Sequence, residues 1–262
     1  MRPARTGRRR AGNAIIRGVP VRVYMPDPAP TGVPFALPPD EAAHVSRVLR
    51  LVAGDALRVF DGRGGEWQAT VSSATRAAVT VTLGDAVTPA RETRVRYTMA
   101  LAVLKGDGTD DAIRDAVMMG VSRVRPFVAA RSEISLASAA RGHRLDRWVR
   151  VAVASAKQCG RAVVPEIAPL VEVDALWRQC DDPLRLLLVE PSAARDTRMT
   201  ADVQPDTMVT IACGPEGGWT SDEMAAAVSA GWTLVSLGAR TLRATSAPLA
   251  ALAACQAVWR DD

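Results

Sequence analysis

With 262 residues, 48% of them hydrophobic, the chain suits a soluble globular protein of one large or two modest domains. No apolar run approaches the roughly 20 residues that span a bilayer, and the first twenty residues lack the apolar stretch of a secretory signal, so no membrane association is expected and the cytoplasm is the expected compartment. The net charge of +5 is uneven: residues 1–20 carry six arginines and no acid, which leaves −1 on the rest, so any argument for a polyanionic partner must rest on local clusters.

In chain order, residues 1–20 hold little apolar material to bury and are expected to be a disordered, Arg-rich arm. Order is expected from about Val21. After a Pro-rich turn, Pro39 and Asp40 open a short helix whose Ala42, Val45, Val48 and Leu49 share one face, with Arg47 and Arg50 on another. Strand-like runs at 56–60, 67–71 and 78–83 follow, the first pair joined by the hairpin signal DGRGGE. A compact, mostly β module over residues 21–90 is the economical reading, closed by the linker TPARET.

Beyond residue 91 the grammar changes to alternating buried strands and helices. Strands are predicted at 97–104, 123–128, 163–167, 184–190, 207–213 and 233–237. Helices are predicted at 109–119 with Gly120 as C-cap, at 141–159, at 173–180, from Ser221, and over about fifteen residues ending near Trp259. Strands alternating with helices imply an α/β domain with a parallel sheet covered on both faces. From Arg123 to Arg161, nine Arg or Lys face only Glu133 and Asp146, a local +7. Two readings fit it: a footprint for a phosphate backbone, or a solvated helix in a protein whose 33 basic residues include only two lysines. Cys159, Cys180, Cys213 and Cys255 form no CxxC pair and only His44 and His143 could join them, which argues against zinc and against a disulfide framework; buried free thiols are expected.

Two loops carry the functional signal. The stretch GPEGGWTSDE, residues 214–223, leaves a strand and enters a helix, the usual ligand position in an open α/β sheet. It has neither GxxxxGK[ST] nor GxGxxG, and Glu216 would repel a polyphosphate, so a neutral or cationic ligand is favoured; a ligand-free tight turn is the competing reading. Thr220 and Glu223 have capping-box spacing. The second loop, in SLGARTLRATSAPLAALAACQ, again turns at a glycine, Gly238, carries Arg240 and Arg243, and enters an alanine-rich helix suited to close packing within one subunit or across a subunit interface.

At these loops the sequence resembles the SPOUT methyltransferases, specifically the bacterial 16S ribosomal RNA uridine-N3 methyltransferase family. Lys105-Gly-Asp107 is similar to that family's KGD motif, Ala130-Arg131-Ser132 to its ERS triplet, AKQCGRAVVPEI to its QSGR and VPEI stretch, and HVSRVLRL with the FDG of 60–62 to its amino-terminal PUA-like module. The resemblance implies a small PUA-like β-barrel domain, then a SPOUT trefoil-knot domain with a parallel sheet over residues 91–262. It also implies S-adenosylmethionine as cofactor with no metal, 16S ribosomal RNA or the small subunit as substrate, and a homodimer. Carried onto these residues, Glu190, Gly214, Gly217, Leu237, Gly238 and Leu242 hold the cofactor through backbone groups. Arg243 and Glu216 are the catalytic candidates. Arg243 holds phosphate or steadies a uridine oxyanion, or else pins the loop by a salt bridge; Glu216 orients the cofactor or satisfies backbone donors in the turn. Arg22, Arg47, Arg50, Arg131 and Arg161 are the candidate RNA contacts. The sequence departs from the family pattern LGPRILRTETA at Ala239, Thr241 and Ala244-Thr245-Ser246, and from KATELGV at Asp115, Val117 and Met118. A different nucleotide target, or a non-catalytic RNA-binding protein on the same scaffold, are the alternatives.

Overall fold

The structure is a computed structural model, and it describes residues 15–16, 19–75, 78–140, 143–193 and 203–259. Most of the expected amino-terminal arm lies outside the described residues. Within it, however, β1 (Ile15–Ile16) pairs antiparallel with β2 (Val19–Pro20). The chain divides into two compact units, with the boundary after Ala90 and with the returning segment Gly160–Val163 belonging to the first.

The first unit is a five-stranded sheet in which β3 (Arg22–Tyr24) runs parallel to β5 (Ala56–Phe60). β6 (Glu66–Ala74), β7 (Val79–Ala86) and the short edge strand β4 (Pro34–Ala36) then continue it antiparallel. Alternation decides which face is buried: Val79, Val81 and Leu83 of β7 and Val71 of β6 point inward with Val23, Leu57 and Val59. The β5–β6 hairpin is built on Asp61, whose carboxylate accepts the amides of Arg63 and Gly65 at 2.7 and 2.9 Å.

The expected helix begins at Pro39 as α1 (Pro39–Ala43) but widens into a π turn over His44–Val48, in which the Leu49 amide reaches back five residues to the His44 carbonyl at 3.0 Å. That wider turn corrects the sequence expectation for Val48. Ala42 and Val45 are buried as predicted, whereas Val48 is rotated out and 66% exposed, beside exposed Arg47 and Arg50.

The second unit is the expected α/β domain. Its sheet is parallel throughout, in the order β10 (Glu166–Ile167), β9 (Arg123–Val128), β8 (Arg96–Ala102), β13 (Met208–Cys213), β12 (Leu184–Leu188), β14 (Thr233–Val235), with β11 (Val171–Glu172) extending the pairing of β9. Strands covered on both faces carry near-continuous apolar runs, which is why Tyr97 through Ala102 are all buried. The helices are α2 (Gly108–Met118), α3 (Leu136–Ala140), α4 (Arg144–Cys159), α5 (Val173–Gln179), α6 (Ser221–Ser229) and α7 (Ala247–Trp259). α2 ends at Met118 with Met119 as its C-cap, and Gly120, expected to be the cap itself, follows it at φ +89° in the left-handed geometry that terminates the helix. α7 returns against α2 and β13, with Trp259 stacked on Tyr97 at 6.1 Å. Among the described residues no helix is long and apolar enough to cross a membrane.

Register sets up the site. Cys213 pairs with Leu101 on one side and Leu188 on the other, and Leu188 pairs with Val235, so the carboxyl ends of β8, β13, β12 and β14 finish level. The loops that follow them therefore leave the same edge of the sheet.

Candidate active site

Three loops leaving that edge enclose a cavity of about 590 Å³, within the range of small-molecule sites. Its walls come from Leu188–Pro191 at the end of β12, from Cys213–Glu216, Gly218 and Trp219 at the end of β13, and from the segment around Ser236–Ala247 after β14. Local chemistry shapes each wall. The Val189 amide extends the ladder to the Val235 carbonyl at 2.9 Å, Pro215 and Gly218 close a turn at 2.9 Å with Gly218 at φ +69°, and Ser236 Oγ donates to the Gly238 carbonyl at 3.0 Å.

The glycine loop is fastened from outside the cavity. Glu216 Oε1 accepts the Lys105 amide at 3.2 Å, and Lys105 Nζ pairs with Glu133 at 3.1 Å. Arg131 Nη1 donates to the carbonyls of Gly217 and Trp219, each at 3.2 Å. Gly217 lies so close to Arg131 that a Cβ there would come within 2.8 Å of the arginine's own Cβ and 2.9 Å of its carbonyl oxygen. The capping box is present in full: Glu223 accepts the Thr220 amide at 2.8 Å while Thr220 Oγ1 accepts the Glu223 amide at 3.1 Å. The other Glu223 oxygen takes the Ala130 amide at 2.8 Å, tying α6 to the turn after β9. The KGD-like and ERS-like segments thus meet GPEGG, although they lie far from it in sequence.

Of the residues predicted from sequence, Glu190, Gly214, Glu216, Leu237, Leu242 and Arg243 line the cavity together. Gly217 faces Arg131 instead, and Gly238 shapes its turn at φ +109° without joining the wall. Arg131 grips the loop. Arg22 is buried in the first unit, where its guanidinium bonds Glu66 at 3.0 and 3.1 Å and the Arg161 carbonyl at 2.9 Å, and Arg161 is itself buried. Two of the nine basic residues of the cluster are paired with acids from outside it: Arg123 pairs with Glu166 at 2.8 Å, and Arg147 pairs with Asp107 at 2.6 Å and with Asp110 at 2.5 Å. Arg47 and Arg50 stay exposed, as do Arg240 and Arg243 at the cavity. Sequence reasoning gave no role to Trp219, which lines the cavity and stacks on Phe127 at 5.7 Å. Its only signal was its place inside the quoted loop.

The lining chemistry fits S-adenosylmethionine. Apolar side chains of Leu188, Val189, Leu237 and Leu242 suit a nucleoside, Glu190 and Glu216 suit a cationic centre, Arg240 and Arg243 suit a carboxylate, and among the described residues no lysine lines the space to call for a polyphosphate. Cys213 closes the inner end as a neutral thiol, because burial, then neighbouring Cys255, push its pKa well above the usual range; burial pushes Cys255 up to about 12. Among the described residues no group of His, Cys, Asp or Glu is placed to hold a metal ion.

Together these features define an RNA methyltransferase of the SPOUT class. The description "RNA methyltransferase domain" matches residues 91–256, and "RNA methyltransferase PUA domain" matches residues 37–84. The chain belongs to the ribosomal RNA small subunit methyltransferase E family. It is 31% identical over 218 residues to the Synechocystis sp. protein of that name, covering 82% of this chain and 70% of that one. To the Bacillus subtilis protein it is 25% identical over 232 residues, covering 86% and 90%. The structure is similar to ribosomal RNA small subunit methyltransferase E from Neisseria gonorrhoeae bound to S-adenosyl methionine, with TM-score 0.82, 28% identity, and 91% and 98% of the two chains covered. It is also similar to Lpg2936 from Legionella pneumophila in complex with SAM, with TM-score 0.86, 28% identity, and again 91% and 98% covered.

Proposed function

We propose that the protein transfers a methyl group from S-adenosylmethionine to N3 of a uridine in the 16S RNA of the small ribosomal subunit, working in the cytoplasm as a homodimer. The observation that carries the reading is the cavity at the level strand ends, walled by the two sequence-predicted loops and suited to a neutral nucleoside attached to a cation. Relatives named for small-subunit ribosomal RNA methylation, and similar structures solved with this cofactor, support it.

When bound, the cofactor supplies an electrophilic methyl group on a sulfonium. The chain then has to orient that group, admit the uridine and manage the N3 proton, which is mostly in place at neutral pH. Glu190, Gly214, Leu237 and Leu242 are assigned to the cofactor. Gly217 and Gly238 are assigned to shaping its two loops. Arg243, exposed at the cavity, is assigned to the substrate, where a guanidinium holds phosphate or stabilises charge developing on the uracil oxygens. Glu216 is assigned a positioning role, since its carboxylate already anchors Lys105. Arg47 and Arg50 are the proposed RNA contacts of the first unit. The homodimer reading is supported by α7, whose Leu249 and Val258 are 39% and 52% exposed beside a run of alanines, and by Met118, 39% exposed on the adjoining α2.

The test is calorimetric titration with S-adenosylmethionine followed by methyl transfer to small-subunit particles, with the product mapped by mass. Arg243→Ala should lower turnover by at least about tenfold with little change in cofactor affinity. Saturable cofactor binding without transfer, or a methyl group on another nucleotide, would overturn the assignment.

A further inference from the structure

Resting on that reading of the cavity, we infer that Trp219 is a positioning residue for the cofactor: a single indole sets the distance between the wall after β12 and the wall after β13. Its Nε1–H donates to the carbonyl of Leu188, the last residue of β12, at 2.8 Å. Its ring lies against Gly214, the first residue after β13, so closely that a Cβ on Gly214 would come within 2.8 Å of it. Its own carbonyl is held by Arg131 at 3.2 Å. Behind it the ring is fixed by Phe127, nearly parallel at 13° and 5.7 Å, and by Trp177 at 5.7 Å, which in turn packs edge-on against Trp232 at 4.8 Å.

Consider what each wall would do alone. A strand-end carbonyl beside a cavity has no ladder partner guaranteed, and an unpaired acceptor there leaves the peptide plane free to rotate. The Leu188 carbonyl is fixed by the indole, and the next residues, Val189 and Glu190, face the cavity. On the opposite wall, Gly214 can approach only because it has no side chain, so the indole serves as the spacer against which the glycine loop rests. Trp219 therefore acts on the cofactor through both backbones, whether or not its own ring edge touches it.

Trp219→Phe keeps a ring and removes the N–H. It should weaken S-adenosylmethionine binding by calorimetry about five- to tenfold, the lower end of what one part-buried acceptor left unpaired costs, and raise KM for the cofactor in step. Turnover at saturating cofactor and KM for small-subunit particles should stay within about twofold of the parent. A purely structural role would lower the active fraction and leave the cofactor constant unmoved. Cofactor affinity within about twofold of the parent would overturn the inference while leaving the proposed function standing; no cofactor binding by the parent protein would overturn both. The parent protein labelled with 5-fluorotryptophan gives a second readout. Of its six tryptophans, the fluorine resonance of Trp219 should move on addition of S-adenosylmethionine, and that of Trp67 in the first unit should not. If W219F does not fold, phenylalanine substitution at the other tryptophans assigns the signal by elimination, and an unmoved Trp219 resonance overturns the inference.

Discussion

Glu223→Ala removes one carboxylate that accepts two backbone amides, and its cost follows from where those amides lie. Glu223 is 7% exposed, and its oxygens take Thr220 and Ala130, both at 2.8 Å. An unsatisfied buried donor costs about 1–3 kcal/mol. Ala130 is an exposed residue and Thr220 partly so, which lets water recover some of each bond, so the lower end applies to both. To this is added about 0.3–1 kcal/mol for a lost negative charge in the first turn of α6, opposite the helix dipole. The expected loss is therefore about 2–3 kcal/mol, and about 4–12 °C in Tm for a domain of this size. Thr220→Ala removes only the hydroxyl that caps the Glu223 amide and should cost about 1 kcal/mol. Because both residues serve one capping box, the double variant should cost less than the sum by at least about 0.5 kcal/mol. Urea unfolding followed by tryptophan fluorescence reads the second unit, which holds every tryptophan but Trp67. A Glu223→Ala loss below about 0.5 kcal/mol would refute the claim that this carboxylate joins α6 to the turn after β9.

Arg22→Ala should destabilise the first unit by about 3 kcal/mol, because it strands the Glu66 carboxylate, 3% exposed, with Arg58 at 3.7 Å as its remaining guanidinium. It should leave the salt dependence of RNA binding unchanged, and a salt slope reduced by about 1 would instead make Arg22 a phosphate contact. For Cys213 and Cys255, folded pKa values raised above the ordinary 9.0 mean that folding favours the protonated thiols. Their contribution is fully present below pH 9 and is lost as pH rises toward about 12, by about 1.4 kcal/mol per pH unit for each thiol. Urea midpoints measured from pH 8 to 11 should fall accordingly, Cys255→Ala should flatten the slope, and a parent midpoint independent of pH would refute the burial argument.

Periodicity and turn chemistry alone determined the long strands and most of the helices, but not α3 or the short strands β1, β2, β4 and β11. The apolar runs of β8 and β13, the capping box at Thr220 and Glu223, and the left-handed Gly120 are each written within a few neighbouring residues, and local rules act at that range. The two loops of the cavity were legible for the same reason, since a glycine-rich turn between strand and helix is a local signal. What only the tertiary structure decided is which side chains those loops meet. Arg131 and Gly217 are 86 residues apart, Lys105 and Glu216 are 111 apart, and Trp219 reaches Leu188 across 31. The same long-range packing turned Arg22 and Arg161 from candidate surface charges into buried structural ones, and paired Arg123 and Arg147 of the arginine cluster with acids from other segments. A charge or an indole announces its chemistry in sequence, but its partner is set by which distant strands pair and so bring their ends level, and that pairing joins segments far apart in the chain.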